Sequence, residues 1–126
     1  MFEVAVHDTF AAGHALRGYK GKCENVHGHN YRVQVIVEGE KLDDIGLLVD
    51  FGDVKKVLRA AMAYLDHRFI NELPPFDVVN PSAENMAKWF YEQMENGLKP
   101  GGEKPHIRIQ AVKVWETDTA VATYRP

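Results

Sequence analysis

Residues 30–38, NYRVQVIVE, constrain the fold more than any other stretch of the chain. Tyr31, Val33, Val35 and Val37 share one parity, and Asn30, Arg32, Gln34 and Glu38 share the other, with Ile36 the single break. Side chains of a strand alternate between two faces, so this reads as a half-buried strand of an antiparallel sheet. The opening segment repeats the pattern, with Phe2, Val4, Val6, Phe10, Ala12 and His14 all on even positions. Pairing of 2–15 with 30–38 is the simple expectation.

From Asp50 the period changes. Phe51, Val54, Val57, Leu58, Ala61, Met62 and Leu65 recur at three- and four-residue steps, the signature of an amphipathic helix. Asp50 suits the N-cap, and Asp53 adds negative charge to the first turn. A second helix is expected after NPSAEN, with Asn80 as cap, Pro81 in the first helical position and Met86, Ala87, Phe90 and Met94 as its inner stripe. Gly97 and Pro100 are expected to end it. HIRIQAVKVWE, 106–116, is a strand whose apolar phase flips near Ala111–Val112, as a bulge or burial of both faces would cause. TDT then turns the chain into a last strand, AVATY. The order ββααββ predicts an α+β fold, a four-stranded antiparallel sheet with two helices on one face. This reading puts the histidines on the other face, which a second subunit would cover.

The 126 residues suffice for one domain, 1–126. No apolar run approaches the ~18 residues that span a bilayer. MFEVAVHDTF has no basic n-region, so no secretory signal is expected. A lone cysteine, Cys23, forms no intrachain disulfide, which fits a cytoplasmic protein. A net charge of −3 without a basic block argues against a nucleic-acid partner.

Chemistry concentrates in CENVHGHNY, 23–31. His27 and His29 point to one face of a strand, and Gly28 between them leaves the backbone open to close approach. His14 lies on the even face of the neighbouring strand. In a suitable register three imidazoles converge, and three neutral imidazoles with an open fourth position describe a catalytic zinc site. The plainer alternative is two ordinary histidines at a strand start. Cys23 is open to three readings: a buried thiol, a fourth zinc ligand closing a structural site, or a reactive thiolate. LDH, 65–67, reads either as a helix C-terminus with a favourable cation or as Asp66 orienting His67 for proton transfer, which requires a turn there. By itself, Glu116 reads as an exposed carboxylate at a strand end. Arg17, Lys20 and Lys22 read as a solvated loop.

FAAGH (10–14) and CENVHGHNY (23–31), followed by VDF (49–51), LDH (65–67), NPSAEN (80–85) and WETD (115–118), resemble the motifs of the 6-pyruvoyl-tetrahydropterin synthase and 6-carboxytetrahydropterin synthase family. The blocks stand in the family's order over nearly the whole chain. The resemblance implies a tunnelling-fold (T-fold) unit, assembled as a trimer or homohexamer with active sites at subunit interfaces. It implies His14, His27 and His29 as ligands of Zn2+, and Cys23, Asp66 and His67 as a catalytic relay. Glu116 would anchor a pterin ring through two parallel hydrogen bonds, and Ser82 and Glu84 would frame the same pocket. Ser82 stands where the family often has threonine.

The implied activity is a zinc-dependent lyase acting on 7,8-dihydroneopterin triphosphate. The spacing of Cys23 and His27 resembles the branch that releases acetaldehyde and triphosphate and leaves 6-carboxytetrahydropterin, on the route to queuosine. Three alternatives stand beside it. One is a 6-pyruvoyl product retaining the three-carbon side chain. Another is a non-catalytic structural zinc module, with Cys23 closing the site beside the three histidines. The last is a three-histidine zinc hydrolase.

Overall fold

The computed structural model describes residues 1–18 and 25–126; Tyr19–Glu24, and with them Cys23, lie outside the described residues. The elements follow the expected order: β1 Phe2–His14, β2 His27–Gly39, α1 Phe51–Ala63, a short 3-10 turn Ile70–Glu72, α2 Ala83–Leu98, β3 Arg108–Thr117 and β4 Ala120–Tyr124. The strands form one antiparallel sheet in the order β1-β2-β3-β4.

β1 and β2 pair without interruption from Phe2↔Gly39 to His14↔His27. Because facing residues share a side, Val6, Phe10, Ala12 and His14 lie on one face with Tyr31, Val33 and Val35. This is the face the helices cover. Phe10 stacks on Tyr31 at 5.0 Å and touches Phe90 of α2 at 5.8 Å between ring centroids. Leu58 from α1 and Met86, Phe90 and Met94 from α2 complete the core. The expectation that the histidines sit on the opposite, uncovered face is therefore corrected. They share the parity of Phe10 and Tyr31 and occupy the end of the core face. The far face carries Glu3, His7, Thr9, Arg32, Gln34 and Lys113, with the Arg32 guanidinium 4.2 Å above the Trp115 ring.

The flip in β3 is a register shift. Ile36 faces Ala111 and Val37 faces Ile109, which leaves Gln110 over. An extra residue reverses the alternation, so Ile109 and Val112 are both buried.

α1 is capped as expected, with Asp50 accepting from the Gly52 N–H at 2.7 Å. α2 differs from expectation at both ends. Ser82, not Asn80, is its N-cap, accepting from Asn85 N–H at 3.1 Å, and Pro81 precedes the cap. Gly97 lies inside the helix, which ends at Lys99 in the left-handed region (φ 51°). A Cβ on Gly97 would overlap Val57 Cγ1 and stand 3.1 Å from Val57 Cγ2, so this glycine sets the approach of the two helices. Among the described residues no helix is long and apolar enough to cross a membrane.

Candidate functional site

The uninterrupted β1–β2 register decides what spacing alone left open. His14 faces His27 directly, and Ala12 faces His29, so all three rings gather at one end of the strand pair. The ring centroids are 4.6 Å apart for His14–His27, 5.2 Å for His14–His29 and 4.7 Å for His27–His29. His14 is fully buried.

Hydrogen bonds fix two of the tautomers. His14 Nδ1 lies 2.7 Å from the Pro81 carbonyl and His27 Nδ1 2.8 Å from the Asn25 carbonyl. A carbonyl only accepts, so both Nδ1 atoms carry hydrogen and, in the neutral rings, both Nε2 atoms present lone pairs. Those lone pairs face each other at 3.1 Å. Nε2 of His29 is buried without a hydrogen-bond partner. Protonating His14 would relieve the repulsion, but burial holds it, and His29 beside it, below the ordinary imidazole pKa. A divalent cation among the rings would satisfy both lone pairs at once and give the buried His29 Nε2 the partner it lacks. The donor set suits zinc, and the carbonyls behind His14 and His27 are the outer partners that ligating histidines use.

The end of β1 is held by amide pairs. Asn71 accepts from Ala15 N–H at 2.9 Å and donates to the Ala15 carbonyl at 2.8 Å. Asn80 does the same to Arg17, at 2.8 Å each way. Each asparagine imitates a neighbouring strand, so the backbone beyond His14 stays in line. The Arg17 guanidinium is engaged by the carbonyls of Phe76 (2.7 Å) and Asn71 (3.2 Å).

Asp66 and His67 follow α1 in the turn their pairing requires. His67 takes a left-handed backbone (φ 58°), and its N–H donates to the Ala11 carbonyl at 2.6 Å on the outer edge of β1. Asp66 Oδ1 accepts from Ala11 N–H at 3.1 Å and from His67 Nδ1–H at 2.9 Å. The Ala11 N–H first, and His67 after it, hold this carboxylate below its usual range. The His67 side chain is 80% exposed, so its Nε2 is the open end of the pair. His67 shares one groove with Gly13, Gly28, His29 and Phe69.

Glu116 is where sequence reasoning was least informative. Its Oε1 lies 3.0 Å from His14 Nε2 and 3.6 Å from His29 Nε2, so it joins the histidines instead of facing solvent alone. Among the described residues, His14, His27, His29 and Glu116 form the group able to hold a metal, with donor atoms all within 4.8 Å of one another. Ser82 uses its oxygen to cap α2, and Glu84 stands exposed in that helix's first turn. Sequence reasoning also missed Pro81 as the partner of His14, and Asn71 and Asn80 as the clamps behind it. Their partners are more than 50 residues away, so no local pattern reveals them.

Comparison with known proteins agrees with this architecture. The profile of the family described as 6-pyruvoyl tetrahydropterin synthase matches residues 3–126. The chain is 35% identical over 130 residues to the 6-carboxy-5,6,7,8-tetrahydropterin synthase of Bacillus subtilis, covering 99% of this chain and 86% of that protein. It is 35% identical over 109 residues to the 6-pyruvoyl tetrahydrobiopterin synthase of Homo sapiens, covering 83% and 71%. The structure of Caenorhabditis elegans 6-pyruvoyl tetrahydropterin synthase superposes with a TM-score of 0.87 at 25% identity, covering 99% of this chain and 95% of that one.

Proposed function

The chain belongs to the 6-pyruvoyl tetrahydropterin synthase family, and on that premise we propose that it is a zinc-dependent 6-carboxy-5,6,7,8-tetrahydropterin synthase. It would take 7,8-dihydroneopterin triphosphate and water to 6-carboxytetrahydropterin, acetaldehyde and triphosphate, supplying the route to queuosine in the cytoplasm. The observation that carries this reading is the convergence of His14, His27 and His29, two of them facing each other through Nε2 lone pairs and the third with its Nε2 buried and unpartnered.

These three histidines would hold zinc, which when bound supplies a Lewis acid that lowers the pKa of the substrate's side-chain hydroxyls and orients them. Cys23, as a thiolate, is the base that removes the adjacent carbon-bound proton. Asp66 keeps hydrogen on Nδ1 of His67, which leaves Nε2 to accept or return a proton at the substrate. Glu116, Ser82 and Glu84 bind the pterin. The open end of His67 and the family's assembly together support an active site shared between subunits of a homohexamer.

A 6-pyruvoyl product is the second reading, since identity to the human relative, 35%, equals that to the bacterial one and does not separate the two. Incubation with 7,8-dihydroneopterin triphosphate separates the two. Acetaldehyde released in step with triphosphate is expected. Triphosphate without acetaldehyde would assign the pyruvoyl branch, and neither product would end the lyase reading. Cys23→Ala should retain zinc and lose turnover; loss of zinc with unfolding would instead mark a structural site closed by the thiolate. Turnover of another ester that survives both Cys23→Ala and Glu116→Gln would mark a zinc hydrolase.

A further inference from the structure

We infer that Glu116 is a fourth protein ligand of the metal in the substrate-free protein, an inference that rests on the zinc reading above. Tetrahedral zinc with bonds of about 2.0–2.2 Å separates its donors by about 3.3–3.6 Å. Here Glu116 Oε1 lies 3.0 Å from His14 Nε2 and 3.6 Å from His29 Nε2, while His14 Nε2 lies 3.1 Å from His27 Nε2. These are three of the six edges of a coordination tetrahedron within a few tenths of an ångström, and all four donors lie within 4.8 Å of one another.

In the neutral site this contact is repulsive unless a positive charge lies between the two atoms. His14 gives its one ring hydrogen to Pro81, so a carboxylate oxygen at 3.0 Å meets a lone pair. Two electron-rich atoms that close need a positive charge between them, and a metal ion held by the cluster would supply it.

The backbone is also arranged for it. Trp115 faces Val121 and Thr117 faces Ala120, so Glu116 falls at a register shift and is passed over by β4. Strand alternation sets Glu116 on the face of Val112 and Val114, beside Tyr31, and the shift leaves it without a β4 partner. Trp115 lies under Arg32 on the far face, while Glu116 turns to the histidines.

Glu116 is held differently from its neighbours. His14 and His27 are each tied to a carbonyl from behind, whereas Glu116 has no hydrogen-bond partner outside the cluster among the described residues and is 29% exposed. A ligand without outer support is the one that exchanges. Such a ligand would yield its position to an incoming diol while the three histidines stay in place.

The test measures zinc affinity by competition with a chromophoric chelator, using zinc alone and no substrate. Glu116→Gln is expected to bind zinc at least about tenfold more weakly than the unsubstituted protein. Glu116→Asp, which keeps the charge and withdraws the oxygen by one methylene, is expected to lose affinity too. Wild-type affinity in Glu116→Gln would overturn the inference. So would a loss confined to Glu116→Gln, because the carboxylate would then act through charge at a distance. Melting of each metal-free variant at the wild-type temperature shows that the fold is intact; a variant that melts lower with its zinc affinity unchanged also overturns the inference. Absence of zinc binding by the unsubstituted protein would sink the zinc reading as a whole, a different failure from equal affinities.

Discussion

Lowering the pH below about 6.5 should weaken the metal-free fold, with His14 and His29 as the cause. Burial, the largest influence on both, depresses their pKa from 6.5. The unfolded chain therefore takes up protons as the pH falls through 6.5, while the folded chain does not until the pH is lower still. Stability rises with pH wherever the unfolded state binds more protons, so it is complete above about 6.5 and is lost progressively below. Thermal unfolding in chelator from pH 7.5 to 5 checks this, and a flat profile would contradict it. Tyr31 makes a second residue-scale prediction. Its hydroxyl is buried without a partner, and burial first, then the Glu116 charge, pushes its pKa up. Removing an unpartnered buried hydroxyl is neutral or stabilising. Tyr31→Phe should therefore melt at or above the wild-type temperature; a loss beyond ~1 kcal/mol would show that the hydroxyl has a partner.

At the scale of elements, the contact of α1 with α2 turns on Gly97. Helix propensity alone favours alanine there by about 1 kcal/mol. The clash of the new Cβ with the methyls of Val57 opposes it. Valine in a helix has essentially one side-chain rotamer, so it does not swing aside. Gly97→Ala should cost about 1–3 kcal/mol on balance, and adding Val57→Ala should recover most of the loss. Urea denaturation of the single and double variants measures both. A single variant as stable as wild type would mean that the helices separate freely. The amide clamps act at the same scale. Asn71→Ala leaves the Ala15 N–H and carbonyl without their partner. It should cost about 1–3 kcal/mol and weaken zinc binding, because the strand end carrying His14 loosens. Unchanged zinc affinity would show that His14 is placed by β1–β2 pairing alone.

At the scale of the molecule, the sheet ends in two different edges. The outer edge of β1 receives Arg68 and His67 only near its end, at Ala11 and Gly13. β4 is five residues long, and among the described residues nothing pairs with its outer side. Unpaired backbone of this kind is a template for another chain. Edge-to-edge contact of unlike edges is head-to-tail and closes only as a ring. Native mass measurement at micromolar concentration is expected to give trimers or hexamers, and a monomer alone would refute this. The charged far face, with Arg32, Lys113 and Glu3, would line the inside of such a ring.

Much of this protein is determined by its sequence. Period two in 2–15 and 30–38, period near 3.6 from Asp50 and again after NPSAEN, and the phase break near Ala111–Val112 are consequences of local backbone geometry. They define the strands, the helices and the order ββααββ without reference to anything distant. Alternation put His27 and His29 on one face, but His14, His27 and His29 were named as donors by the family resemblance of their motifs. What the tertiary structure alone decided was which atoms meet. The run of β1–β2 pairs set His14 against His27, and core packing put the histidines on the helix face. The β2–β3 register brought Glu116 to them, and Pro81 and Asn80 closed over the end of β1. Each of these depends on strand register or on contact between residues far apart in the chain. A shift of one residue in register would preserve every local pattern and turn the imidazoles to the other face.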